Sequence, residues 1–188
     1  MNSTNSMNRS IFLLASLSCC LTSCAADYGE PDTDDSVEVD ELSQGLALDE
    51  VVSFKNLNSQ RCIGVDGAST EHGALVKQFT CDGALNQSWR AEGGLELVNV
   101  KSDKCMGVDG GSRNHGANIG QYNCDGAVNQ NWIWSPVDGS PDIVRLVNEN
   151  SFSVRCIGVD GGSGDNGAQL KQFRCDSSAN QIWVVIPR

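Results

Sequence analysis

Cys62-Ile63-Gly64-Val65-Asp66-Gly67 opens a stretch that runs on through His72-Gly73-Ala74 and Gln78-Phe79-Thr80-Cys81-Asp82-Gly83-Ala84. It closes on Asn86-Gln87-Ser88-Trp89. The same order of residues returns from Cys105 to Trp132 and again from Cys156 to Trp183. In each copy 18 residues lie between the two cysteines, and Asn-Gln-x-Trp follows the second. Three such matches make a triplicated unit. A unit this short buries its apolar face only by sharing a core with its copies.

Outward from that stretch, every copy is preceded by a short alternating apolar segment, at 52–57, 95–100 and 143–147. A polar turn follows, then Cys-x-Gly-Val, a Gly-rich loop, a strand ending at the second cysteine, and an Asp-Gly or Ser-Ser turn. A last strand carries the tryptophan. Short strands punctuated by turn residues at this spacing predict an all-β barrel or sandwich. No helical period stands out. The first two copies are 43 residues apart and the next two 51, the excess falling at 135–141 and in a longer hairpin at 149–153. Trp89, Trp132 and Trp183 are expected at the centre, where rings of this size dominate burial. Trp134 shares a strand face with Trp132 and is expected in the core or at its base.

Charge is unevenly placed along the 188 residues, whose net charge is −11. No Lys or Arg lies between Arg9 and Lys55, whereas ten acids lie from Asp27 to Glu50. The repeats hold the other 14 acids and 12 bases, and so are nearly neutral. They lack the basic stripe that nucleic acid requires, and no nucleic-acid partner is expected.

Residues 1–23 read as an export signal, with Arg9 ahead of an apolar run at 11–21 that is short for a bilayer span. The run ends Leu21-Thr22-Ser23-Cys24, which looks like a bacterial lipobox with Cys24 as the lipidated residue. Ala25 follows, which in similar lipoproteins of double-membrane bacteria favours the outer membrane or cell surface. Simple secretion with cleavage near Ala26 is the alternative. Residues 24–50 are acidic and poor in aromatics, the composition of a flexible tether between lipid and domain. Cys19 and Cys20 leave with the signal, and six cysteines remain for the repeats. An even number in an oxidising compartment predicts disulfides. The repeat selects Cys62–Cys81, Cys105–Cys124 and Cys156–Cys175 among the pairings, each stabilising by roughly 3 kcal/mol. The cysteine spacing does not fit zinc. The Asp160-Gly161-Gly162-Ser163-Gly164-Asp165-Asn166 run fits neither the EF-hand nor the Gly-rich calcium repeat. No metal and no cofactor are expected.

Three repeats of about this length, each with a cysteine pair and a Gln-x-Trp, resemble the ricin B-chain type lectins. The marks are Gln87-Ser88-Trp89, Gln130-Asn131-Trp132 and Gln181-Ile182-Trp183. The resemblance covers residues 51–188, with repeats at about 51–94, 95–142 and 143–188. It implies a β-trefoil: three four-stranded units around a pseudo-threefold axis, after a signal peptide and a disordered acidic linker. It also implies up to three shallow sugar sites.

In the resembling lectins a carboxylate two residues after the first cysteine accepts from two sugar hydroxyls. An aromatic two residues before the second cysteine stacks on the sugar ring. The Asn of Asn-Gln-x-Trp donates to a hydroxyl, and the following Gln supports the pocket. Here the aromatic is present at Phe79, Tyr122 and Phe173. The Asn is present at Asn86, Asn129 and Asn180, and the Gln at Gln87, Gln130 and Gln181. The carboxylate position is glycine in every copy, at Gly64, Gly107 and Gly158. A Gln common in the family four residues before the second cysteine is replaced by Lys77, Gly120 and Lys171, and a Gln stands one residue later, at Gln78, Gln121 and Gln172. An acid stands two residues beyond each glycine, at Asp66, Asp109 and Asp160. In an extended strand these share the glycine's face, so each either reaches the pocket from a shifted position or caps the Asp-Gly turn. Repeat two, with Asp109, Tyr122 and Asn129, makes the best single site. His72 and His115 occupy one loop position, where repeat three has Asn166, and read as exposed loop residues or as sugar contacts.

The expectation is therefore a carbohydrate-binding, lipid-anchored monomer that is not an enzyme. Galactose- or xylose-type glycans or polysaccharide are the expected ligands. The alternative is a trefoil that binds or inhibits proteins, its sugar sites lost with the glycines.

Overall fold

A computed structural model of the chain describes residues 50–93, 95–152 and 154–188. The signal, the lipidation cysteine and nearly all of the acidic tether lie outside the described residues. Each repeat contributes four strands. Repeat one has β1 (Val51–Asn56), β2 (Cys62–Val65), β3 (Val76–Phe79) and β4 (Trp89–Glu92). Repeat two has β5 (Glu96–Asn99), β6 (Cys105–Val108), β7 (Ile119–Tyr122) and β8 (Trp132–Val137). Repeat three has β9 (Ser140–Asn148), β10 (Arg155–Val159), β11 (Leu170–Arg174) and β12 (Trp183–Pro187).

The outer strands of the repeats close a six-stranded barrel. β1 pairs with β4 and β12, β4 with β5, β8 with β9, and β9 with β12. The bridge Glu96↔Asn131 joins β5 to β8 and completes the ring. The inner pairs β2–β3, β6–β7 and β10–β11 form three hairpins across one end. Bridges Leu75↔Gly120, Asn118↔Lys171 and Lys77↔Gln169 tie the hairpins into a triangle. This is a β-trefoil. Where the hairpins meet, Gln169 Nε2 lies 3.1, 3.3 and 2.8 Å from the equivalent carbonyls of Val76, Ile119 and Leu170. The residues at 135–141 extend the β8–β9 hairpin, which turns at Asp138 and Gly139, both at positive φ (52° and 74°). Two successive residues in that conformation suit the right-handed strand twist.

Trp89, Trp132 and Trp183 are fully buried and fill the barrel. Each indole N–H donates to a carbonyl inside the core, of Ile63, Met106 and Ile157 at 3.3, 2.9 and 3.2 Å, so no polar group is orphaned by that burial. Trp134 packs edge-on against Phe54 with ring centroids 5.0 Å apart, at the margin of the same core. The three disulfides pair as the repeat implies, Cys62–Cys81, Cys105–Cys124 and Cys156–Cys175. Buried asparagines stitch the repeats in a cycle. Asn56 donates to the carbonyls of Asn180 and Ile182, Asn99 to those of Asn86 and Ser88, and Asn148 to those of Asn129 and Asn131.

Candidate functional site

The inner hairpin of a repeat carries the aromatic residue at its open end, and the glycine on the facing strand sets the ring's orientation. Gly64 pairs with Lys77 while Phe79 pairs with Cys62, so ring and glycine are diagonal neighbours. A Cβ on Gly64 would stand 3.2 Å from the Phe79 ring and 2.9 Å from Gln87 Cγ. On Gly107 it would stand 3.2 Å from Tyr122 and 3.1 Å from Gln130, and on Gly158 3.0 Å from Phe173 and 2.9 Å from Gln181. The space that a side chain would take at the usual carboxylate position is filled by the aromatic ring and by the Gln of Gln-x-Trp.

The aspartates two residues beyond those glycines have partners already. Lys77 Nζ lies 2.7 Å from Asp66 Oδ2, and Lys171 Nζ 2.7 Å from Asp160 Oδ2. In repeat two the lysine is replaced by Gly120, and the Tyr122 hydroxyl donates to Asp109 Oδ1 at 3.1 Å. A Cβ on Gly120 would meet that hydroxyl at 2.8 Å, so the tyrosine takes the space the lysine fills elsewhere. Burial first, then the charge of Asp109 and the bond to it, hold the Tyr122 phenol well above its ordinary pKa.

Beside each ring lies the Asn of Asn-Gln-x-Trp. The Nδ2 of Asn86, Asn129 and Asn180 donates to the carbonyl of Val65, Val108 and Val159 at 3.0–3.1 Å. One bond fixes the amide plane and leaves a second N–H and the carbonyl oxygen for other partners. The following Gln is buried in each repeat. Gln87 donates to the carbonyl of Thr80 (3.0 Å) and accepts from the N–H of Asp82 (3.4 Å), bracketing Cys81. Gln130 and Gln181 bracket Cys124 and Cys175 in the same way.

The fourth component comes from the neighbouring repeat and was not assignable from the repeat pattern. His72 Nδ1 accepts the N–H of Asn123 at 3.2 Å, and its ring stands edge-on 5.3 Å from Tyr122. His115 Nδ1 accepts the N–H of Arg174 at 3.4 Å and stands 5.2 Å from Phe173. Asn166 Oδ1 accepts the N–H of Thr80 at 2.7 Å. These residues thus wall the site of the next repeat in a cycle. The glutamines at 78, 121 and 172 hold the loops that carry them. Gln121 Nε2 donates to the carbonyls of Ser69 and Glu71 (2.9 and 3.0 Å), Gln172 to those of Ser112 and Asn114, and Gln78 to those of Ser163 and Asp165.

The result is a set of shallow hollows. That of repeat one, about 310 Å³, is lined by Phe79, Thr80, Asp82, Asn86, Gln87 and Asn166, among others. That of repeat three, about 300 Å³, is lined by His115, Phe173, Arg174, Asp176, Asn180 and Gln181, among others. Aromatic, Asn and Gln of the sequence-based site therefore come together, whereas Asp66 and Asp160 do not line these hollows. A flat apolar wall beside amide and carboxylate groups is the equipment for gripping one face and one edge of a polyhydroxylated ring.

Residues 50–183 match the family model of the ricin-type β-trefoil lectin domain. Among solved structures the chain is similar to ThreeFoil, a designed threefold-symmetric protein. The identity is 29% and the TM-score 0.67, over 72% of this chain and 97% of that one. It is similar to an exo-β-1,3-galactanase from Clostridium thermocellum at 25% identity and TM-score 0.68, over 74% of this chain but only 30% of the galactanase. A ricin B-like lectin from Macrolepiota procera, solved with lactose, shares the fold at 14% identity and TM-score 0.66, over 76% of this chain and 99% of the lectin. Comparison with curated proteins found no match.

Proposed function

The chain belongs to the ricin-type β-trefoil lectin family, and from that premise we propose that it binds sugars through the three hollows between its repeats. Family and fold support a carbohydrate-binding module. The observation that carries the finer reading is the recurrence of one constellation: an aromatic ring, an anchored Asn and a loop residue lent by the preceding repeat in the cycle. Phe79, Tyr122 and Phe173 would stack on the sugar ring, and Asn86, Asn129 and Asn180 would bond its hydroxyls. Gln87, Gln130 and Gln181 would hold the turn beside them. In repeat two Asp109 would fix the Tyr122 ring through its hydroxyl. A sugar seeking Asp66 or Asp160 would first have to displace a lysine 2.7 Å away. Lactose and N-acetylgalactosamine, found with structurally similar lectins, are reasonable first ligands, as are xylan-type chains. Three weak sites on one rigid body would gain avidity on a polysaccharide. Binding rather than catalysis is the role proposed.

Export and anchoring complete the proposal. Cys24, in Leu21-Thr22-Ser23-Cys24, would carry the lipid, and the acidic segment would tether the trefoil to an outer-membrane or cell surface. Cys24→Ser should then shift the protein from the detergent phase to the aqueous phase on partitioning. An unaltered distribution would remove the anchor.

Glycan-array binding of the exported chain, disulfides formed, tests the function. Saturable binding competed by free sugar is expected, and the Phe79→Ala/Tyr122→Ala/Phe173→Ala variant should lose it. A folded wild-type chain that captures no glycan and no polysaccharide would overturn the reading. It would favour the protein-binding alternative, which the filled glycine positions and paired aspartates keep in view.

A further inference from the structure

We propose that the carboxylate through which these hollows bond a sugar is the aspartate after the second cysteine, Asp82, Asp125 and Asp176. It works opposite an N–H donor lent by the neighbouring repeat: Asn166, His72 and His115 respectively. This inference rests on the carbohydrate-binding reading and deepens it. The acid lining the hollow of repeat one is Asp82, and the acid lining that of repeat three is Asp176. The aspartates at 66 and 160 are spent on lysines.

The post-cysteine aspartate is also the preorganised one. Asp82 Oδ1 accepts the N–H of Ala84 at 2.9 Å, Asp125 Oδ1 that of Ala127 at 3.0 Å, and Asp176 Oδ1 that of Ser178 at 2.8 Å. The backbone N–H of each aspartate donates to the buried Gln of Gln-x-Trp at 3.2–3.4 Å. A disulfide holds the preceding residue. One carboxylate oxygen is thereby fixed to the turn, and the other, Oδ2, is assigned to the sugar. Across the hollow, Asn166 Oδ1 is taken by the N–H of Thr80, so the group it has to offer is its NH₂. His72 and His115 use Nδ1 as acceptor, so the neutral ring carries its proton on Nε2. A hydroxyl needs both kinds of partner, an acceptor for its proton and a donor for its lone pair. The ligand class is a neutral pyranose that lays its C–H face on Phe79, Tyr122 or Phe173 and presents hydroxyls along the adjoining edge.

The test is titration of the full exported chain with lactose, N-acetylgalactosamine and xylotriose, followed by two-dimensional amide NMR. Asp82→Asn/Asp176→Asn keeps Oδ1 for the turn and replaces Oδ2 by a donor. Binding at the hollows of repeats one and three should weaken about tenfold or more, the loss expected for a hydrogen bond to a charged group. The thermal midpoint should stay at the wild-type value. Asp66→Ala/Asp160→Ala should bind within about twofold of wild type, since a surface pair with lysine contributes little. His115→Asn should preserve the hollow of repeat three, because Asn166 serves the equivalent place in repeat one, and His115→Ala should weaken it. Wild-type affinity in the Asp82→Asn/Asp176→Asn variant, or loss of binding in Asp66→Ala/Asp160→Ala, would overturn the assignment while leaving the lectin reading intact. A wild-type chain that binds none of the three sugars would instead defeat the lectin reading, and this inference with it.

Discussion

At Gly158 a hydrogen is the only side chain the structure accommodates. A Cβ there would lie 3.0 Å from the Phe173 ring and 2.9 Å from Gln181. Restoring the family's carboxylate by Gly158→Asp should therefore not restore a sugar site. It should overpack the hairpin and destabilise the domain by about 1–3 kcal/mol. It should also displace the ring and the glutamine on which the hollow depends. Thermal unfolding and sugar titration of this variant check both effects. A gain in affinity at wild-type stability would contradict the account. Tyr122 makes a second prediction at this scale. Burial, the Asp109 charge and the bond to it raise its folded pKa, so the fold favours the neutral phenol. That contribution is complete below the unfolded value of about 10 and is lost as pH rises through the folded one. The chain has two tyrosines. In a Tyr28→Phe variant, ultraviolet titration should show Tyr122 ionising later than in the denatured chain, and Asp109→Ala should bring it back toward the ordinary value. Coincident folded and denatured curves would argue against the Tyr122–Asp109 contact.

Among the elements, the loops between the strands of each inner hairpin are held by glutamines of the next hairpin. Gln121 is fully buried. It accepts from the Ser102 hydroxyl at 2.6 Å and donates to the carbonyls of Ser69 and Glu71, in the loop that carries His72. Gln121→Leu would take one partner from each of those groups. The Glu71 carbonyl keeps the N–H of Ala74 and the Ser102 hydroxyl keeps Asn99, so the cost of about 1–3 kcal/mol for an unsatisfied buried group falls on the Ser69 carbonyl where water cannot reach it. Amide exchange across 69–74 should accelerate more than exchange in the barrel strands. An even loss of protection would mean that the glutamine stabilises the fold without specially holding that loop. The sequence displayed these glutamines one residue away from the family's usual position, but not their purpose. Their partners lie 50 to 87 residues away along the chain, in a different repeat.

For the whole molecule, one barrel core serves all three repeats. The cyclic asparagine bonds and the cyclic loop clamps run from one repeat to another, whereas each tryptophan N–H bond and each disulfide closes within one. The triplication, the strand order, the cysteine pairs and an all-β barrel or sandwich were legible in the amino-acid sequence, and the β-trefoil through the family resemblance that its Gln-x-Trp repeats carry. Covalent spacing and apolar alternation are local properties, and repeating them three times leaves few ways to close a core. The rings and amides of the hollows were legible too, because they keep a constant distance from the cysteines. Tertiary structure alone decided which carboxylate lines a hollow and which faces lysine. It also decided that every hollow takes a wall from its neighbour. The sequence reading singled out only the aspartate two residues beyond each glycine, and the aspartate directly after the second cysteine passed as part of a turn. What distinguishes the two aspartates is the ring packed on the glycine, the lysine across the hairpin in repeats one and three, and the loop arriving from another repeat. Such contacts exist only once the trefoil has closed.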